Sequence, residues 1–193
     1  ASVFLMVAPE VVHSQNGEFE MPDPRLTPVA DQRANLYANP WHITPNSIDL
    51  PLRFGNESFS EVYLGQSTLG VRTGAAEFGL STENQWWGPG IKNAILLSDN
   101  APGFLHSFVH TGRPIKTGVG QFEGKWLIGG LRESDYFDSL NTNDVRSLSA
   151  LTVNWTPPGP FGGLTMGFSR AVYAPADGYG DAATNLFDAL LRF

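Results

Sequence analysis

The chain has 193 residues, a formal net charge of −7 and no cysteine. The length suits one sizeable β-domain, and the charge excludes a nucleic-acid binder that tracks phosphates with clustered Lys and Arg. The missing thiols exclude a disulfide framework, a zinc knuckle and a cysteine nucleophile. With 21 Gly, 14 Pro, 12% aromatic and only 16% charged residues, the composition favours short strands and turns over helices. No run approaches the 18 or so consecutive apolar residues of a membrane helix. Barrel strands alternate lipid-facing and lumen-facing residues, so hydropathy windows do not detect them.

Val3-Phe4-Leu5-Met6-Val7 reads as a strand already under way, with no leader peptide before it, which favours a fragment of a longer polypeptide. Residues 16 to 39 carry four prolines and read as a surface connector. Residues 61 to 80 are rich in Gly, Thr, Val and aromatics without a helical stripe, and read as one or two extended strands. Residues 120 to 132, around Lys125-Trp126-Leu127-Ile128, read the same way, and the Asp/Asn/Ser-rich stretch 135 to 144 reads as a loop.

Leu151-Thr152-Val153-Asn154-Trp155 and Leu164-Thr165-Met166-Gly167-Phe168-Ser169 alternate apolar and polar groups. The Pro/Gly-dense connection 156 to 163 between them makes an antiparallel hairpin. After a loop over 174 to 184, residues 185 to 191 suit a short helix with Asn185 as its cap. The alternative is a strand with apolar residues at 187, 189, 191 and 193, closing on the aromatic Phe193 as bacterial barrels often do. The helix fits the Gly/Asp-rich approach better. No internal repeat stands out, and the chain reads as one unit, 1 to 193.

Glu83-Asn84-Gln85-Trp86-Trp87-Gly88-Pro89-Gly90 and then Ser98-Asp99-Asn100-Ala101-Pro102 are the most specific elements of the sequence. They resemble the signature of the Wzi capsule-assembly family, a WWGPG turn followed by an apolar stretch and a serine-x-asparagine-alanine-x-proline element. Glu77-Phe78-Gly79-Leu80 resembles the strand leading into that turn, and Gly167-Phe168-Ser169-Arg170 a later strand, so the resemblance spans roughly 50 to 193. It implies an all-β fold, an antiparallel transmembrane β-barrel of about 16 to 18 strands in a Gram-negative outer membrane. At about 10 residues per spanning strand, this chain supplies an incomplete segment, truncated at both ends. The implied function is non-catalytic: a surface lectin that holds capsular or extracellular polysaccharide amid outer-membrane lipid and lipopolysaccharide, with no cofactor.

Side-chain chemistry gives the candidate contacts. Trp86 and Trp87 offer aromatic faces that stack on the C–H faces of sugar rings, while Asn84, Gln85, Asp99 and Asn100 offer amides and a carboxylate to hydroxyls. The competing role for both indoles is packing or an interfacial girdle, and for Asp99-Asn100 an Asx turn. Arg72, Lys92, Arg113, Lys116 and Arg170 would attract acidic glycan or lipopolysaccharide groups, although a salt bridge to Glu77, Glu83 or Glu123 is the commoner fate of such a cation. His106 and His110 are four apart in β-favouring sequence, so they stand about 13 Å apart on a strand and do not share a metal. A glycosidase would need paired carboxylates, for which Glu77 with Glu83 and Asp135 with Asp138 are the local candidates, neither with diagnostic spacing. A porin-like channel without glycan preference is the main rival reading.

Overall fold

The computed structural model describes residues 1–17, 57–92, 94, 96–99, 101–133, 144–161 and 163–192. Two compact units appear, one of Ala1–Glu10, Tyr63–Leu131 and Val145–Phe193, the other of Val11–Val62 and Arg132–Asp144. In the second unit β2 (Glu10–Ser14) pairs with β3 (Phe59–Tyr63) in a small sheet, where the His13 ring and the Ser60 hydroxyl are 2.8 Å apart. The loops expected over 16 to 39 and 135 to 144 fall almost wholly outside the described residues, as do Asp135 and Asp138.

The first unit is an antiparallel sheet. Its strands are β1 (Ser2–Met6), β4 (Thr68–Thr73), β5 (Ala76–Ser81), β6 (His106–Thr111), β7 (Ile115–Thr117), β8 (Gly120–Arg132), β9 (Val145–Thr156) and β10 (Met166–Pro175). They run in the order β1-β4-β5-β6-β8-β9-β10, with β7 also on β8, and β1 and β10 end the path. The fold is therefore all-β and antiparallel, and the described sheet is open. The single strand expected at 120 to 132 forms as β8, and the expected hairpin forms as β9 and β10, with Trp155 opposite Met166 and Leu151 opposite Arg170. The stretch 61 to 80 breaks into more strands than its composition indicated. Gly65 and Gly74 adopt φ of 58° and 51°, turning the chain before β4 and between β4 and β5.

Registers across β1, β4, β5, β6 and β8 align side chains in rungs, because alternate residues of a strand share a face. On one face lie Val3–Val71–Phe78–Val109–Trp126 and Leu5–Leu69–Leu80–Ser107–Ile128. On the other lie Ser2–Arg72–Glu77–His110–Lys125, Phe4–Gly70–Gly79–Phe108–Leu127 and Met6–Thr68–Ser81–His106–Gly129. On β1, β4, β5 and β6 the first face is apolar and bare, while the second buries polar groups together with the apolar Phe108 and Leu127. Val3, Leu5, Leu69, Phe78, Leu80 and Val109 are 43% to 73% exposed, whereas Thr68, Glu77, Ser81 and His106 are no more than 7% exposed. The only large apolar side chains buried among the described residues are Trp87, Phe108, Leu127 and Leu148.

A short helical segment closes the described chain: α1 (Tyr179–Ala182), a 3-10 turn (Ala183–Asn185) and α2 (Asp188–Leu191). The helix expected at 185 to 191 thus begins later, and Phe187 occupies its N-cap with no side-chain cap bond. Asn185 does not cap it. Its amide donates instead to the Ser147 hydroxyl at 2.7 Å. Ser149, also fully buried, donates to Leu186 O at 2.9 Å and accepts from Ala189 N–H at 3.2 Å, while the rings of Phe187 and Trp126 meet at 5.1 Å. Residues 188–191 are helical, not a closing strand, and Phe193 lies outside the described residues.

Candidate functional site

The segment from Thr82 to Phe104 leaves β5 and returns to β6 over the buried face of the sheet. Its backbone is fixed at several points. Thr82 N–H donates to Ser67 O (2.9 Å), Glu83 N–H to the Ser81 hydroxyl (3.0 Å), Asn84 N–H to Gln66 Oε1 (2.9 Å) and Trp87 N–H to Leu97 O (3.1 Å). Gly88 carries φ 133°, a conformation that L side chains rarely adopt, and the chain bends at Gly88-Pro89 as the sequence indicates.

The two tryptophans separate. Trp87, 7% exposed, packs with Phe108, Leu127 and Ala150, flanked by Phe4, Leu97 and Phe104. Trp86 is 38% exposed, and its indole N–H donates to Gly90 O at 2.8 Å, folding the ring back over the bend. One ring is core and the other offers a face. Gly70 and Gly129 make room beneath, since a Cβ on either would come within 2.5 Å of the Phe4 or Phe104 ring respectively.

Gln85 is buried beside His106, donating its amide to Glu83 O and Asn84 O at 3.2 Å and lying 3.5 Å from His106 Nε2. His106 Nδ1 is 2.7 Å from Phe104 O, a group that only accepts, so the proton sits on Nδ1 and Nε2 faces Gln85 as acceptor. Asn84 donates to Ala101 O at 3.2 Å, and its buried Oδ1 has no partner among the described residues. The stacking candidate Trp86 and the amides of Asn84 and Gln85 therefore share one short segment. Lys92 and Asp99 are exposed on the same connection beyond the bend, and Asn100 lies outside the described residues.

Arg72 sits elsewhere, in the charged rung of the buried face. Its guanidinium bonds Glu77, one of the carboxylates expected to pair with such a cation, and lies 5.3 Å above the Phe4 ring. His110 Nε2 is 3.5 Å from the same carboxylate. Lys125, which sequence reasoning passed over, places its ammonium 5.3 Å above Phe108. Only the register brings these residues together. Phe108 lies between the rings of His106 and His110, at centroid distances of 6.4 and 5.5 Å. Glu77 is engaged by Arg72 and His110. Arg113 follows Gly112, which packs against the Glu77 carboxylate, just past the end of β6, and it lines a groove with Lys116.

No protein-family profile, curated protein or solved structure matches the chain.

Proposed function

We infer that the chain is a segment of a transmembrane β-barrel of a Gram-negative outer membrane, a non-catalytic protein that binds capsular polysaccharide and holds it at the cell surface. The exposure pattern of the sheet carries this reading: over β1, β4, β5 and β6 one face presents bare apolar side chains, up to Trp126 where Phe187 covers it, while Thr68, Glu77, Ser81 and His106 are buried on the other. Side chains half exposed or nearly so on adjacent strands leave an unbroken apolar area on the order of 500 Å², at the upper end for a soluble monomer. In hydrocarbon that area is covered and the charged rung faces the lumen. Covering it contributes on the order of 10 kcal/mol at about 25 cal/mol per Å².

Strand lengths support the same reading. β8, β9 and β10 have 13, 12 and 10 residues, and tilted spanning strands use about 9–11. The β4–β5 pairing continues beyond the strands through the bond from Thr82 to Ser67. From its turn at Gly74 to Ser67 that hairpin reaches about 24 Å at ~3.4 Å per residue.

For the ligand, the reading rests on the resemblance of the WWGPG and SDNAP elements together with the half-exposed Trp86, whose neighbour Gln85 is buried and takes no part. The packing of Trp87, Leu97 and Phe104 over the buried face favours a filled lumen over an open pore. The test is binding of purified capsular polysaccharide to the full-length protein in detergent, comparing wild type with Trp86→Ala. Saturable binding, weakened by the substitution and without shortening of the glycan, supports the reading. Ion conductance without glycan preference would replace it with a porin, and shortening of the glycan with a hydrolase.

A further inference from the structure

His106 opens β6 at the point where the segment from Thr82 to Phe104 rejoins the sheet, and at 1% exposure it is the most enclosed titratable side chain among the described residues. The rings of Phe104 and Phe108 stand beside it at centroid distances of 5.0 and 6.4 Å. Its register neighbours are Ser81 on β5 and Gly129 on β8, so no charge lies directly across the sheet from it. The charged groups near enough to act on the ring are Lys125 from β8 and Glu83 from the segment itself. They have opposite signs, and neither hydrogen-bonds to it. On its own strand His110 stands on the far side of Phe108, toward Glu77.

Both ring nitrogens are committed. Nδ1 donates to Phe104 O at 2.7 Å, and Nε2 lies 3.5 Å from the Gln85 amide nitrogen. That amide does not present its oxygen instead, because its nitrogen also donates to Glu83 O and Asn84 O at 3.2 Å, two groups that only accept. Turning the amide over would set its oxygen against both carbonyls. A proton added at Nε2 therefore points a donor at a donor and adds a charge in a place closed to water. The neutral ring fits the segment, and the imidazolium does not.

We propose that His106 and Gln85 form a proton-sensitive latch, which holds the Trp86-bearing segment on the sheet at neutral pH and releases it in acid. Gln85 immediately precedes Trp86, and Trp87 is seated in the core cluster next to it, so loosening of Gln85 reaches both indoles through one stretch of backbone. Free histidine titrates at about 6.5, so the latch holds at about pH 7.5 and is lost as the pH falls toward about 5. The latch stands on its own geometry, whereas its effect on glycan rests on the reading of Trp86 above.

The test is amide hydrogen exchange of the full-length protein in detergent, with protection corrected for the pH dependence of the intrinsic rate. Protection of peptides from residues 82 to 104 should fall on the order of tenfold between about pH 7.5 and about pH 5, while peptides of β9 and β10 keep theirs. His106→Gln keeps an acceptor toward Gln85 and does not titrate, so its response should be flat. A fall that persists in this variant, or no fall in the wild type, overturns the proposal. Nitrogen shifts of labelled histidine rings in the wild type decide the matter if His106→Gln fails to fold. The neutral Nδ1–H form of His106 is expected at about pH 7.5, and an imidazolium there while the segment stays protected overturns the latch. Capsular polysaccharide binding at the same two pH values reports the reading of Trp86 separately. Acid-dependent exchange with no glycan binding supports the latch and sinks that reading, whereas flat exchange with glycan bound at both pH values sinks the latch alone.

Discussion

Lysine placed at increasing depth on the bare face separates a lipid-facing sheet from a water-facing one. Leu80 lies between Leu69 and Ser107 in its rung, is 49% exposed, and stands four residues from the Ala76 rung where the apolar face ends. That is about 13 Å along the strand, or about 10 Å of depth at a tilt near 40°, close to the middle of an apolar band about 25 Å tall. Lysine near the midplane costs about 2–4 kcal/mol and near the interface about 0–1 kcal/mol. Leu80→Lys is therefore expected to destabilise by about 3 kcal/mol, Val109→Lys by about 1–2 kcal/mol and Thr111→Lys by under about 1 kcal/mol. In water each of these half-exposed positions would tolerate lysine at a cost near 0.5–1 kcal/mol, with no gradient. The assay is reversible urea unfolding of the protein from phosphatidylcholine bilayers, followed by tryptophan fluorescence. A flat series refutes the lipid-facing assignment.

Other substitutions probe the core cluster, the turns and the C-terminal helical segment. Trp87→Ala should cost about 3–5 kcal/mol by emptying the cluster against Phe108 and Leu127. Trp86→Ala should cost under about 1 kcal/mol and act on glycan binding instead, both read by unfolding midpoints. Gly70→Ala should cost about 1–3 kcal/mol, because its Cβ would come within 2.5 Å of the Phe4 ring, whereas Gly74→Ala meets no side chain and strains only its φ of 51°. Ser149→Ala removes the bonds to Leu186 O and Ala189 N–H at a fully buried position. It should release the C-terminal helical segment at a cost of about 1–3 kcal/mol, visible as faster proteolysis after Phe187.

Strand periodicity was readable where a single strand carries it. β8 and the β9–β10 hairpin follow from alternation and from the Pro/Gly-rich turn, both local signals. The helix start was not readable, because the Asn185 amide is taken by Ser147, 38 residues away, and a sequence window cannot weigh that partner against a cap. The same limit hid the charged rung. Arg72 and Glu77 are close in sequence and their pairing was within reach, but the ammonium of Lys125 over Phe108 depends on how β6 lies against β8. The separation of Trp86 from Trp87 followed from their adjacency. Which indole would be buried depended on Phe108 and Leu127, strands that a reading of residues 81 to 104 does not include. The identity of the buried face was invisible for a related reason: alternation tells that two faces differ, and only the burial of Thr68, Ser81 and His106 tells which one faces the protein.

Since the chain has no cysteine, single cysteines can be placed along β5 and β6 and labelled with an environment-sensitive fluorophore in phosphatidylcholine bilayers. That measurement tests the assignment of faces most directly. Labels at Phe78, Leu80 and Val109 should emit blue-shifted and be quenched by nitroxide-bearing acyl chains, while labels at Glu77, Ser81 and His110 should not be, giving a period of two along each strand. Uniform quenching by aqueous iodide at Phe78, Leu80 and Val109 would contradict the account and return the sheet to water.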